Sequence, residues 1–313
     1  MKRARGVALI TALLVVAIAT LAATALLSSA SLAIHRTASL RDSEQAWWVA
    51  RGVDAWVLGI LESDRRDSQY DGLDEDWALP VDGLPVDQGF VSGRVEDLQG
   101  RLNLNSLGPR NPKSLEQFRR LLRALPDQDA PPGLVDAIVD WSDPDQDPGS
   151  MNGAEDGEYL SLDPPYRAAN RPFTVVSELL AVRGMTPKLY EALHPHVAAL
   201  PAEGSGRATP INVNTASEAV LRSLADQVED AKLRAWLELR KEKPVRDAAG
   251  LDALLRDGPW LSAEVKDQLT WRSRYFQIQG QVFVGSSRVA LYSLIQRQED
   301  QPPVVLAHSA EAE

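Results

Sequence analysis

The sequence predicts an α+β fold in which one long N-terminal helix leads into an antiparallel sheet and a large all-α block interrupts that sheet. Three observations carry this. An uncharged apolar run covers residues 7–34, longer than the ~20 residues a bilayer-spanning helix needs. Stretches of strand character lie near residues 89–104 and again near 275–295. Between them, successive segments carry helical spacing.

The elements follow in chain order. Lys2, Arg3 and Arg5 precede Gly6, so residues 1–6 read as a basic leader. A secretory signal peptide is cut after its apolar core. Here the only obvious processing point, between Gly6 and Val7, lies before it, so the helix is expected to stay on the mature chain. The basic leader holds the N-terminus in the cytoplasm and sends the rest across the membrane, which in a bacterium is the periplasm. Residues 7–34 are the transmembrane part, and residues 41–62 continue the helix with no breaker. Trp47, Trp48, Trp56, Leu58 and Leu61 read as core packing, because Trp56 and Leu61 lie too far along the helix for an interfacial belt.

Residues 35–105 make the first part of the α/β body. Within it, residues 64–88 read as a polar loop punctuated by Gly and Pro. Phe90, Val91 and Val95, then Leu102 and Leu104, read as short strands around a turn at Gly100. Residues 271–297 return to the sheet: 275–284 and 288–295 alternate polar with apolar side chains. Residues 298–313 are polar, contain Pro, and read as a flexible tail.

The helical block is expected over residues 106–270, with segments at 115–125, 133–141, 174–182, 187–193, 217–224, 230–241, 248–255 and 262–269. Residues 201–206 look like a linker inside it. A weak repeat relates Leu102-Asn-Leu-Asn-Ser106 to Ile211-Asn-Val-Asn-Thr215. The second copy resembles the opening of helix-hairpin-helix modules. DNA-binding versions need a Gly-rich turn that lets backbone amides approach a phosphate. The corresponding turn here has no Gly and carries Asp226, Glu229 and Asp230, so the module reads as helix packing.

Composition agrees. The chain has 33 basic against 44 acidic residues and a net charge of -11, and trimming the leader would make it more acidic, which argues against a nucleic-acid partner. Cys is absent, so disulfides are excluded.

Much of the acidity sits in one loop. Asp140, Asp143, Asp145 and Asp147 are followed by Glu155, Asp156 and Glu158. Pro144, Pro148, Gly149 and Gly153 favour turns that bring alternate carboxylates to one point. Hard oxygen donors at this density suit Ca²⁺, which takes 6–8 of them, although the spacing is not that of an EF-hand. Zinc is disfavoured, since His194 and His196 stand apart from the acids. Asp143 and Glu155 could in principle pair as a glycosidase acid and nucleophile, but that needs one carboxyl kept neutral by apolar surroundings, and this loop is crowded with charge. The chain carries no P-loop, nucleophile elbow or His-Glu-x-x-His motif, and a non-enzymatic role is expected.

Together the features resemble one family closely: the K-type minor pseudopilins of bacterial type II secretion systems. The resemblance rests on Arg5-Gly6, the run from Val7 to Leu14, Asp140-Trp-Ser-Asp143, Gly153-Ala-Glu-Asp-Gly-Glu-Tyr159, Tyr166-Arg-Ala-Ala-Asn-Arg-Pro-Phe173 and Ile211-Asn-Val-Asn-Thr-Ala216. It implies a pilin-like fold with a helical insertion and two bound Ca²⁺ ions. By resemblance the ligands are Asp143, Asp145, Asp147, Glu155 and Asp156, with Asp140 and Glu158 as further candidates. It also implies cleavage after Gly6 and N-methylation of Val7 by the prepilin peptidase. The partners it implies are the I- and J-type minor pseudopilins and the major pseudopilin, at the tip of a filament rooted in the inner membrane. Most pilin-like subunits carry Glu at the fifth mature position, where this chain has Thr11, a difference that fits a distal subunit. The alternative is a pilin-like subunit of a type IV pilus or a DNA-uptake machine.

Overall fold

The computed structural model describes residues 4–125, 130–202, 206–260 and 263–309. Helix α1 runs unbroken over Ala4–Asp67, 64 residues, or about 96 Å at 1.5 Å per residue. It is the one described helix long and apolar enough to cross a membrane. Its first half is exposed on all sides, whereas Ala46, Ala50, Val57 and Leu61 are buried. That change divides the helix into an anchor and a packed half.

Among the described residues nine strands follow: β1 Val81–Val86, β2 Gly89–Asp97, β3 Leu102–Asn103, β4 Val197–Ala198, β5 Ile211–Asn212, β6 Leu269–Thr270, β7 Tyr275–Val284, β8 Ser287–Gln296 and β9 Val304–Ser309. Five of them form one antiparallel sheet in the order β1-β2-β7-β8-β9. Strand β2 pairs with β7 from Gly89 opposite Val284 to Asp97 opposite Phe276. The sheet therefore joins chain segments that the whole helical block separates. Where the strands cross closely, a Cβ on Gly89 would lie 1.7 Å from the Phe283 carbonyl oxygen, so only glycine fits. The packed half of α1 lies on this sheet, burying Val57 and Leu61 with Trp77, Val91, Phe276, Ile278, Val282 and Leu291.

Trp47, Trp48 and Trp56, expected in the core, are exposed on α1, and three expectations about the sheet also need correction. Residues 64–88 are not a simple loop, because β1 adds an edge strand that tolerates Gly83 and Pro85 where central strands would not. The tail is not frayed over Val304–Ser309, which pairs with β8 and closes the other edge; residues 310–313 lie outside the described residues. Leu102 does not extend the main sheet: β3 pairs in parallel with Val197 and Ala198.

The intervening block has two cores. One, spanning residues 102–197, gathers Phe118, Leu121 and Leu122 of α2 (Pro112–Ala124) with Leu134, Ile138 and Trp141 of α3 (Leu134–Ser142). It also takes Tyr159 of α4 (Asp156–Tyr159) and Leu189 and Leu193 of α5 (Pro187–Leu193). The other, spanning residues 211–269, gathers Val220 and Leu221 of α6 (Glu218–Ser223), Leu233 and Trp236 of α7 (Asp230–Leu239), and Leu251 and Leu254 of α8 (Ala248–Asp257). Thr186, Ser217 and Asp247 cap α5, α6 and α8 with side-chain oxygens. The segment expected as a helix at 174–182 is a 3₁₀ turn, Val176–Ala181, drawn tight by Glu178, which accepts from the amides of Thr174 and Val175. The last expected helix is also 3₁₀, Ala263–Gln268, and Ser262 and the middle of the expected linker at 201–206 lie outside the described residues.

The Asn-x-Asn repeat has a structural meaning. In each copy the first Asn accepts from the amide of the second, at 3.0 Å for Asn103 and 3.0 Å for Asn212. The second Asn then clamps a distant backbone in both directions: Asn105 holds Phe173, and Asn214 holds Val245. Each clamp opens one of the two cores. The supposed DNA-facing turn also has a structural use, since Asp226 pairs with Arg120 at 3.2 Å and Asp230 pairs with Arg222.

Candidate metal centre

Helix α3 stops at Ser142 because Asp143 precedes Pro144, and a residue before proline is pushed into extended backbone; Asp143 has φ -82° and ψ 162°. The chain then loops out and returns to the end of α3. Asp140, 1% exposed, fastens the return: Oδ1 accepts from the Gly149 amide at 3.1 Å and Oδ2 from the Ala154 amide at 2.8 Å. A Cβ on Gly153 would sit 2.0 Å from Asp140 Oδ2, so the closure requires glycine there. Trp141 packs edge-on to Tyr159, ring centroids 5.1 Å apart, and gives the loop an apolar floor.

This closure gathers Asp140, Asp143 and Glu155, with one oxygen of each lying within 4.8 Å of the others. Glu155 is 5% exposed, and neither of its carboxylate oxygens has a hydrogen-bond partner. Asp143 Oδ1 is buried and equally unpartnered. Asn170 is tied to the loop: its amide donates to the Trp141 carbonyl at 3.0 Å, its Nδ2 donates to the Asp145 carbonyl at 3.1 Å, and its Oδ1 is buried without a partner. Among the described residues no Lys or Arg pairs with Asp140, Asp143 or Glu155. Burial, reinforced by the neighbouring carboxylates, pushes Glu155 up to about 7 and Asp143 up to about 6. Burial also raises Asp140, against the two amides that favour its charged form.

The other sequence candidates stand around this set. Asp145 is exposed, turns its Oδ1 to the Asp147 amide at 3.0 Å, and adds negative charge near Asp143 and Glu155. Asp147 is exposed beside it. Asp156 faces elsewhere, accepting from the Ala168 amide at 3.0 Å and pairing with Arg167 at 3.4 Å. Glu158 is exposed and pairs with Arg183 at 3.7 Å. Sequence reasoning gave Asp140, which converges with Asp143 and Glu155, less weight than Asp145 and Asp147, and did not weigh Asn170. The signals were a carboxylate inside a helix that ends at Asp-Pro, with glycines spaced for a return, and an Asn standing before Arg-Pro.

Four buried oxygens on Asp143, Glu155 and Asn170 are left without hydrogen-bond partners. Unpaired buried carboxylates are costly, and an all-oxygen donor set with no thiolate or imidazole suits calcium. The residues expected in processing and assembly lie far away on α1. Val7 is exposed, and Thr11 Oγ1 donates to its own helix, to the carbonyls of Val7 at 3.1 Å and Ala8 at 3.0 Å.

Two family profiles, both described as type II secretion system (T2SS), protein K, match residues 100–202 and 211–269, which are the extents of the two helical cores. The chain is 36% identical to type II secretion system protein K of Pseudomonas aeruginosa, over 96% of this chain and 91% of that one. It is 34% identical to type II secretion system protein K of Aeromonas hydrophila, over 97% and 96%. Its fold is similar to a chain in the crystal structure of the GspK-GspI-GspJ complex from enterotoxigenic Escherichia coli type 2 secretion system. There the TM-score is 0.72 at 26% identity, covering 89% of this chain and all of that one.

Proposed function

The chain belongs to the type II secretion system protein K family and is a minor pseudopilin, and from that premise we propose that it stands at the distal end of the pseudopilus, where it caps the filament and helps initiate its assembly. In this reading α1 is a single-pass anchor in the inner membrane until assembly, and the body lies in the periplasm. The prepilin peptidase cuts between Gly6 and Val7 and methylates Val7. The protein works by assembly and not by catalysis, and the filament serves export of folded proteins across the outer membrane. The similar E. coli chain was solved in a complex with GspI and GspJ, which supports I- and J-type partners here, with the major pseudopilin added beneath.

The observation that carries the tip position is Thr11. A Glu at this place would be costly in a bilayer unless it met a cation such as a neighbour's terminal amine. Thr11 satisfies its hydroxyl within its own helix and offers no charge to a subunit above. Val7 still offers its amine to a subunit arriving below. Thr11→Glu is therefore expected to let this subunit enter the filament shaft. The measurement is immunogold labelling of sheared filaments, and label confined to one end in that variant would sink the reading.

One Ca²⁺ ion is proposed for Asp140, Asp143, Glu155 and Asn170, and a second beside it on the exposed acids Asp145 and Asp147. The role is structural: the ion neutralises the loop and fixes the return of the chain onto α3.

A further inference from the structure

A second acidic cluster lies outside the loop just described, at the seam between the sheet and the 211–269 core. Asp64, near the end of α1, and Asp71 and Glu75, just beyond it, bring one carboxylate oxygen each to within 4.8 Å of the others. Asp71 is 0% exposed. Its Oδ2 accepts from the Ser273 amide at 2.6 Å and from Arg297, but its Oδ1 is buried with no hydrogen-bond partner. Arg297 also donates to Asp64 Oδ2 at 2.7 Å. Glu75 accepts through Oε2 from the Gly72 amide and the Trp77 indole, and through Oε1 from Ser68.

Arg297 is the cation already present, and with all three carboxylates ionised one guanidinium leaves two negative charges uncancelled. A divalent ion would restore neutrality. The converging groups are all oxygens, with no His or Cys among the three acids, which selects hard cations over zinc or copper. The backbone carbonyl of Asp71 accepts from Asn212 and Asn214, the repeat residues that open the 211–269 core. An ion held by Asp71 would therefore brace the place where that core meets the end of α1.

We propose that Asp64, Asp71 and Glu75 form a site for one divalent cation of the calcium–magnesium class, separate from the Asp140–Glu155 loop and stapling the pilin-like body to the second helical core. Its neighbourhood supplies a reporter. The Trp77 indole is 3.0 Å from Glu75 Oε2, close enough to sensitise terbium(III), a luminescent calcium surrogate, whereas the loop site lies beside Trp141.

The test uses the full chain in detergent with Asp143→Asn, Asp145→Asn, Asp147→Asn and Glu155→Gln, which silences the loop. Terbium emission excited through tryptophan is expected to persist there, to be displaced by added calcium, and to dim with Trp77→Phe but not with Trp141→Phe. Adding Asp71→Asn, or the gentler Glu75→Gln, is expected to weaken terbium binding by about tenfold or more. Circular dichroism identifies any variant that fails to fold, and the Glu75 and Trp77 variants then carry the decision. Absence of calcium-displaceable emission in the silenced protein overturns the proposal, as does emission indifferent to both Glu75→Gln and Trp77→Phe.

Discussion

The two acidic clusters are each built from two aspartates and a glutamate that converge, yet among the described residues only one contains its own cation. Asp64, Asp71 and Glu75 close around Arg297, which is 4% exposed, stacks over Phe276 at 4.9 Å and donates to two of the three acids. Asp140 and Asp143 have backbone amides, Glu155 has none, and among the described residues no guanidinium pairs with any of the three. The first cluster can fold around a charge the chain supplies, while the second, on the proposed reading, takes one from solution. The first sits where α1, the sheet and the second core meet, and the second sits in a loop.

The largest effect should come from removing the built-in cation. Arg297→Met leaves buried Asp71 and half-buried Asp64 without their cation, which costs about 3–5 kcal/mol when one partner of a buried pair is lost. Urea denaturation of the full chain in detergent measures it. A loss under about 1 kcal/mol would mean that Arg297 is not what holds the first cluster together.

Removing the external cation comes next. Calcium at about a hundredfold above its dissociation constant should stabilise the native chain by about 2.7 kcal/mol, read as a rise in thermal midpoint over protein in chelator. Asp143→Asn with Glu155→Gln should abolish most of that rise and leave the chelated protein no less stable than the unmodified chain, because two of the repelling charges are gone. If calcium moves the midpoint equally in that variant, the loop is not where the ion acts.

The difference between the clusters also shows what a sequence can and cannot disclose. The anchor, the two long strands and the acidic loop were legible because each is encoded locally, by an apolar run, a period of two, or carboxylates interleaved with turn residues. Arg297 was not. It reads as an ordinary charge at the end of a strand, and its partner Asp71 lies 226 residues away. Strands β1 and β9 were missed for a related reason. As edge strands they lack the apolar alternation of β8, and Gly83 and Pro85 in β1 read as loop punctuation. Of the loop candidates, Asp156 and Glu158 lie one and three residues after Glu155 in sequence, yet they pair with Arg167 and Arg183 instead of converging with it, which local spacing does not disclose.

Proton binding sharpens the comparison. Without metal, the folded Glu155 carboxyl holds its proton up to about 7, against 4.5 for its ordinary value. The folded state therefore binds a proton that the unfolded state releases. The stability this gives is fully present below the ordinary value and is lost as pH rises through about 7. Chelated protein should melt lower at about pH 8 than at about pH 5.5, and Glu155→Gln should flatten that slope. Saturating calcium should reverse its sign, because the ion binds only ionised carboxylates. An unchanged slope in Glu155→Gln would place the titrating group elsewhere.

The smallest expected effect tests the edge of the loop cluster. Glu158 is exposed and 3.7 Å from Arg183, an ion pair screened by water and worth about 0–1 kcal/mol. Glu158→Gln should leave the chelated midpoint within the range of ordinary surface changes, about 0.5 kcal/mol, and calcium affinity by calorimetry within about twofold. The reason is geometric: Glu158 follows Glu155 by nearly one helical turn, but its charge is already spent on Arg183, and the Tyr159 side chain beside it turns inward under Trp141. A tenfold loss of calcium affinity in this variant would mean that Arg183 releases Glu158 when the ion binds, so that the loop tightens around its metal beyond the three acids that already converge.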